Sequence, residues 1–281
     1  MIDENKLSLL NFGIIVIDKP AGPTSFFISN YIRNRMGLKK TSHFGTLDPA
    51  VTGVLPIALG RACRLTGTFL GHDKEYIGII HTHKEQNLKD LQKIIDEKFS
   101  GKIMQLPPRK SRVKREIRER EIKKFKLLEM SVDKKDFLFI AQVQGGTYIR
   151  KLCSDLGELI GGAHMTQLRR INAGIFSEAQ SISIYDFDKA VDEYKNGNSV
   201  KLNSIILPAE KVIKKILQSC QIKEDSLQHL KTGKPLMKGD LANSLLPQER
   251  KFAVFSKEKF VGIYNRVKEN DIIGRAEFVF N

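Results

Sequence analysis

Residues 42–56 read SHFGTLDPAVTGVLP, and the backbone there has few options. Pro49 fixes its own φ and pushes Asp48 toward extended geometry. Gly45 and Gly53 bracket that pair, and glycine reaches conformations that other residues resist. Apolar residues close the stretch. The chain must therefore form a stiff loop that runs into a buried strand and presents one carboxylate, Asp48, at a defined place. An ordinary Asp-Pro turn has the same ingredients, so spacing alone leaves a structural turn and a chemical site both open.

The flanking segments indicate what can hold such a loop. Residues 12–18, FGIIVID, are an apolar, β-branched run that reads as a buried strand. KPAGPTS follows as a loop, and Ser25 is placed to cap a helix over FFISNYIRNRM that stops at Gly37. Residues 74–81 and 137–143 read as strands, 88–99 and 151–160 as helices, and 205–217 as a helix beginning near Pro208. Beyond residue 217 the composition shifts to short strand-like runs between turns, at 252–255, 260–264 and 276–280, a pattern that fits a small barrel. The expected organisation is one domain over residues 1–217 and a smaller one over 218–281.

Charge narrows the partner. Lys and Arg number 47 against 32 Asp and Glu, a net of +15, which points to a polyanion and to nucleic acid first. There is no long apolar run and no basic amphipathic anchor, so a membrane partner is set aside, and the first residues lack a signal-peptide layout. Cys63, Cys153 and Cys220 are far apart and form no CxxC pair, as expected of reduced thiols in a cytoplasmic protein. His81 and His83 form an HxH pair without further ligands at matching spacing, so no metal is expected. Residues 109–126 carry ten basic and three acidic residues, a net of +7, punctuated by Val113, Ile117, Ile122 and Phe125. Such a segment can pack its apolar side and offer Lys114, Arg115 and Arg118 to an RNA backbone; a solvated charged face is the alternative.

The stretch around Asp48 resembles the catalytic motif of the TruB/dyskerin family of RNA pseudouridine synthases, G-H-x-G-T-L-D-P-x-x-x-G-V-L-P, with Ser42 in place of the first Gly. The resemblance makes Asp48 the catalytic aspartate and His43 the residue that helps turn the uridine out. KPAGPTS resembles an element that braces the catalytic loop; its lysine falls on Lys19, counted here with the substrate-binding residues. Phe26 stands where the family often has His. Lys74, Glu75 and Tyr76 resemble a K-x-Y motif whose tyrosine stacks on the target base. GTYIR, ending at Arg150, resembles the motif whose arginine pairs with the aspartate and whose tyrosine, here Tyr148, lines the uracil pocket. GGAHMTQLRR, ending at Arg170, resembles a motif that implies a base contact from Leu168 and phosphate contacts from Arg169 and Arg170; His164 is expected to be structural. Gln105, Leu106, Pro107 and Pro108, followed by Ser111, Arg112, Val113, Lys114 and Arg115, resemble the archaeal and eukaryotic Q-x-P-P-x-x-S-x-V-K-R form. Thr147 follows Pro108 by 39 positions, without the longer tRNA-gripping insertion of bacterial stand-alone members. LKTGKP at 230–235 and VGI at 261–263 resemble an abbreviated PUA domain.

What the resemblance implies is an α+β fold: a mixed, largely antiparallel sheet with flanking helices plus a small C-terminal β-barrel of PUA-like type. The implied activity is conversion of uridine to pseudouridine in RNA, with no cofactor and no metal. One ionised carboxylate near C1′ serves it, by adding to that carbon or by taking a C2′ proton. The short connection favours the catalytic subunit of an H/ACA guide-RNA particle acting on rRNA, with guide RNA and small H/ACA particle proteins as partners. The competing substrate is the T-loop uridine of tRNA, modified unaided. A different class, a non-catalytic RNA-binding scaffold, would tolerate loss of Asp48 or Arg150, and both are present.

Overall fold

The computed structural model describes residues 9–108, 113–243 and 245–281. Residues 109–112, the start of the basic run and including Ser111 and Arg112, lie outside the described residues. The chain forms two compact units, one ending at Ile206 and one spanning Leu207–Asn281.

The first unit is built on a ten-stranded sheet. Its strands are β1 (Gly13–Lys19), β2 (Thr41–His43), β3 (Thr52–Leu59), β4 (Lys74–Thr82), β5 (Gly101–Gln105), β6 (Arg118–Met130), β7 (Asp136–Val143), β8 (Ala163–Ala173), β9 (Phe176–Ser177) and β10 (Ile206–Pro208). The main order is β10-β1-β3-β8-β4-β7-β6-β5, with β2 paired to β3 and β9 to β8. Strands β4 and β7 alternate buried and half-exposed residues, the period of a sheet with one face covered. In β1 and β3 the apolar run is nearly continuous and nearly all buried, which places them inside the sheet.

Helices α1 (Ser25–Arg35), α2 (Leu88–Lys98), α3 (Ile149–Ile160) and α4 (Ile184–Lys195) supply the cover. Each contributes residues four apart, one turn of helix: Ile28 and Ile32, Leu91 and Ile95, Leu152 and Leu156, Phe187 and Val191. They share one core with Ile15, Leu55, Ile80 and Phe139 from the strands. The cap of α1 is Thr24, not Ser25: the Thr24 hydroxyl accepts from the Phe27 N–H at 3.0 Å, which leaves the Ser25 side chain for another task.

The basic run splits at residue 118. Ile122 and Phe125 are buried in β6, as expected, but Val113 and Ile117 are exposed and lie outside the core. The pairings are antiparallel between β1 and β3, β8 and β4, β4 and β7, β7 and β6, and β6 and β5; β3 and β8 run parallel. The fold is the mixed, largely antiparallel α+β sheet that the motifs imply. The parallel pair sets Gly53 beside Arg170, and the site is built on that juxtaposition.

The second unit contains the helix α5 (Ala209–Ile216) and strands β11 (Gln218–Gln221), β12 (Leu236–Met237), β13 (Lys251–Ser256), β14 (Lys259–Glu269) and β15 (Ile272–Val279). They form a curled half-barrel in the order β11-β13-β14-β15-β12 around Cys220, Leu236, Phe252, Val254 and Tyr264.

Candidate active site

The loop between β2 and β3 is held from below by buried cations. Lys19 is fully buried, and its ammonium donates to the carbonyls of Pro20, Pro49 and Val51 at 2.8, 3.0 and 2.8 Å. Arg170 is 1% exposed; its guanidinium donates to the carbonyls of Val54 and Gly45 at 2.8 and 3.0 Å, and Tyr76 lies beside it in the strand register. The Ser25 hydroxyl clasps Leu47 by both ends, donating to its carbonyl at 3.0 Å and accepting from its N–H at 2.8 Å. Gly22 N–H donates to the Pro49 carbonyl at 2.9 Å. Leu47 and Val51 are buried in the main core.

Backbone geometry explains both glycines. Gly45 and Gly53 have φ of +99° and +102°, conformations that a side chain resists. At Gly53 a Cβ would also lie 2.2 Å from the Arg170 carbonyl oxygen, so the close approach of β3 to β8 admits only glycine.

Directly after the core anchor Leu47 but outside the core, Asp48 is half-exposed and forms an ion pair with Arg150, itself half-exposed at the start of α3. The turn that carries Arg150 is fixed by Gln105, which is 3% exposed. Its side-chain oxygen accepts from Tyr148 N–H at 2.8 Å, and its amide donates to the Tyr148 carbonyl at 3.2 Å. Carboxylate and guanidinium thus come from separate parts of the chain, each on a rigid support.

Tyr76, on β4, lies beside Arg170 of β8 in register and is 8% exposed. Leu168, 9% exposed, shares its core cluster. His43 Nε2 lies 3.0 Å from the Thr46 hydroxyl; burial, and secondarily the Arg170 charge, push its pKa down, so the ring is neutral at physiological pH. Lys74 donates to the carbonyls of Leu70 and His72, and its pKa is pushed down to about 8 by burial, with the Arg170 charge adding to the effect. Lys19, Lys74 and Arg170 therefore place buried positive charge around the Asp48 loop, which favours an anion beside it.

Several residues expected to contact RNA are engaged within the chain. Arg170, expected near RNA phosphates, is buried and donates to the loop carbonyls of Val54 and Gly45. Arg169 is engaged with Asp18, at 2.9 and 3.0 Å, and with Glu178, an acidic pair that competes with any phosphate. Lys19, counted with the substrate-binding residues, is wholly buried and braces the loop, the role that its motif implies. Arg115 is exposed, Lys114 is 78% exposed and paired with Glu116, and Arg118 donates to the Lys114 carbonyl at 3.4 Å. The bracing roles of Ser25 and Gln105 were missed. Both stand inside the motifs, in KPAGPTS and Q-L-P-P, and a polar residue that the chain buries is the signal that finds them.

Tyr76 gives a direct test of the brace. Tyr76→Phe keeps the ring but removes a buried hydroxyl beside the Arg170 guanidinium, and should destabilise the fold by about 0.5–1.5 kcal/mol, the range for an ordinary hydrogen-bonding group. Urea unfolding reads this as a lower midpoint at unchanged slope. Equal midpoints for the variant and wild type would show that the hydroxyl contributes nothing.

The model of the TruB family pseudouridylate synthase N-terminal domain matches residues 33–149, and that of the tRNA pseudouridylate synthase B C-terminal domain matches residues 150–214. The chain belongs to the TruB family. The site of this TruB-family chain straddles the boundary between the two matches, with Asp48 in the first and Arg150 in the second. In the crystal structure of a Cbf5-Nop10-Gar1 complex, one chain shares 32% identity at a TM-score of 0.88, covering 98% of this chain and 87% of that one. A structure of an H/ACA RNP bound to a substrate RNA containing 2′-deoxyuridine gives 31% and 0.86, with 97% and 86% covered. Among curated relatives, "Probable tRNA pseudouridine synthase B" of Methanococcus maripaludis (strain C6) is 42% identical over 72% of this chain and 61% of its own length. Its namesake in Methanocaldococcus jannaschii is also 42% identical, over 72% and 60%. The TruB-family chain thus spans about three fifths of the length of the curated relatives it matches.

Proposed function

We propose that this chain is an RNA pseudouridine synthase and works as the catalytic subunit of an H/ACA-type guide-RNA particle acting on rRNA. The observation that carries the enzymatic reading is the Asp48–Arg150 ion pair, accessible above a loop that buried side chains immobilise. Uridine joins ribose through N1 and pseudouridine through C5. The C1′–N1 bond breaks, uracil leaves as an anion and turns, the C5–C1′ bond forms, and the C5 proton passes to N1. Asp48 adds to C1′ or takes the C2′ proton, and both tasks need a charged, directed carboxylate. Arg150 favours that charge and fixes its direction. Tyr76, Tyr148 and Leu168 form the wall against which the turned base rests, and neutral His43 helps hold it out of its stack.

The guide-RNA reading draws on the likeness to Cbf5 chains, which extends through the half-barrel unit. The proposed partners are guide RNA, its rRNA target and small proteins of the kind named in those complexes, Nop10 and Gar1. The unit beginning at Leu207 is proposed as an RNA-binding PUA-like domain. Cys63, Cys153 and Cys220 are free thiols, in keeping with a cytoplasmic setting, and no described helix is long and apolar enough to cross a membrane. The second reading, tRNA modification, draws on the names of the curated relatives.

The experiment is pseudouridine formation on two substrates: a tRNA transcript with the protein alone, and an rRNA target with guide RNA and the small proteins added. Product only with the guide supports the first reading, and product on tRNA unaided supports the second. A folded chain silent on both would favour the scaffold. The exposed basic segment should grip phosphate in either case. Lys114, Arg115 and Arg118 replaced together by Ala should weaken RNA binding and flatten its log–log salt dependence by about 0.7–0.9 per lost contact. Unchanged affinity and slope would make the segment a solvated face.

A further inference from the structure

Phe26 and Phe27 are 70% and 57% exposed, side by side in the first turn of α1. Packing does not account for them. The buried face of α1 is Ser25, Ile28, Ser29 and Ile32, and neither phenylalanine falls on it. Two large aromatic surfaces left in water cost free energy that a polar residue would avoid.

Their place is informative. Ser25, the residue before Phe26, bonds both ends of Leu47, which precedes Asp48. Gly22 and Lys19, just upstream, bond Pro49, which follows Asp48. The first turn of α1 is thus tied to the residues on either side of the carboxylate, and Phe26 stands on a rigid mount beside the site. The surroundings are not those of an acidic protein surface: the first turn of α1 has no acidic residue and the chain carries +15.

We infer that Phe26, with Phe27 beside it, is a stacking platform for an unpaired base of the substrate RNA next to the target uridine. This rests on the reading of the chain as an RNA pseudouridine synthase. A turned-out uridine leaves its neighbours without a stacking partner on one side, and an aromatic face replaces that partner whatever the base. Charge complementarity favours RNA over an apolar protein surface as the occupant. Phe26 acts here as a positioning residue: it holds the strand so that the target base enters the cleft beside Asp48.

The test uses the wild-type chain, Phe26→Ala and Phe26→Tyr, with whichever RNA wild type converts. Dissociation constants and pseudouridine formation are measured for intact RNA and for RNA made abasic at each position next to the target. Phe26→Ala should bind intact RNA roughly 5- to 150-fold more weakly, the range of one base–aromatic stack, and Phe26→Tyr should restore binding. One abasic position should weaken wild type by a similar factor and leave Phe26→Ala almost indifferent. A 5-iodouridine at that position should crosslink to Phe26 on irradiation. Unchanged binding by Phe26→Ala, or losses that multiply instead of overlapping, would overturn the platform and leave these rings to a protein partner. Wild-type product with an indifferent Phe26→Ala removes only this inference; no product from wild type on any RNA removes the enzymatic reading itself.

Discussion

Replacement of Arg170 by Met should lower stability by about 3 kcal/mol or more and remove activity in the molecules that still fold. The side chain is buried beside the glycine that closes β3 against β8, and it donates to the carbonyls of Val54 and Gly45. Methionine fills much of the volume but supplies no donor. A buried acceptor left unmatched costs about 1–3 kcal/mol, and two are exposed to that penalty at once. Some of the loss is returned, because a buried guanidinium is itself costly and its burial pushes its pKa down. At about 2–4 °C per kcal/mol for a chain of this size, the melting temperature should fall by roughly 6–12 °C. Turnover, assayed well below that transition, should fall with it, since the freed Gly45 end of the loop no longer fixes Asp48. A variant of wild-type stability and turnover would show that Arg170 is not the brace.

Much of this arrangement was legible in the sequence, for physical reasons. The strands at β1, β3, β4 and β7 announce themselves through apolar runs and period-two alternation, and the stiff Gly45 to Gly53 loop through its Pro and Gly. The meeting of Asp48 with Arg150 was legible only through the motifs, because nothing local says that two segments a hundred residues apart share a cleft. The burial of Arg170 and Lys19 was not legible locally: cations default to the surface, and only the motif, not the residue type, implies that Lys19 braces the loop. Ser25 reads as a cap because hydroxyls favour helix starts, yet Thr24 takes that task one position earlier and releases Ser25 to clasp Leu47. In the basic run, Val113 and Ile117 carry the same apolar signal as Ile122 and Phe125, but only the latter two fall on a paired strand.

Asp48→Asn bears on the whole account. The amide keeps the size of the side chain and loses the charge, so it can neither add to C1′ as a carboxylate nor take a proton. The Arg150 pair is half-exposed, and such pairs contribute at most about 1 kcal/mol, so the variant should fold. RNA binding depends on the basic surface and should persist, or tighten slightly, as one negative charge leaves the neighbourhood of phosphates. The measurement is pseudouridine formation in the RNA that wild type converts, with binding followed in parallel. The expected result is undiminished binding with no detectable product. Robust product from the Asn variant, with reversion of the amide to Asp excluded by mass spectrometry, would contradict the assignment of Asp48 as the catalytic carboxylate.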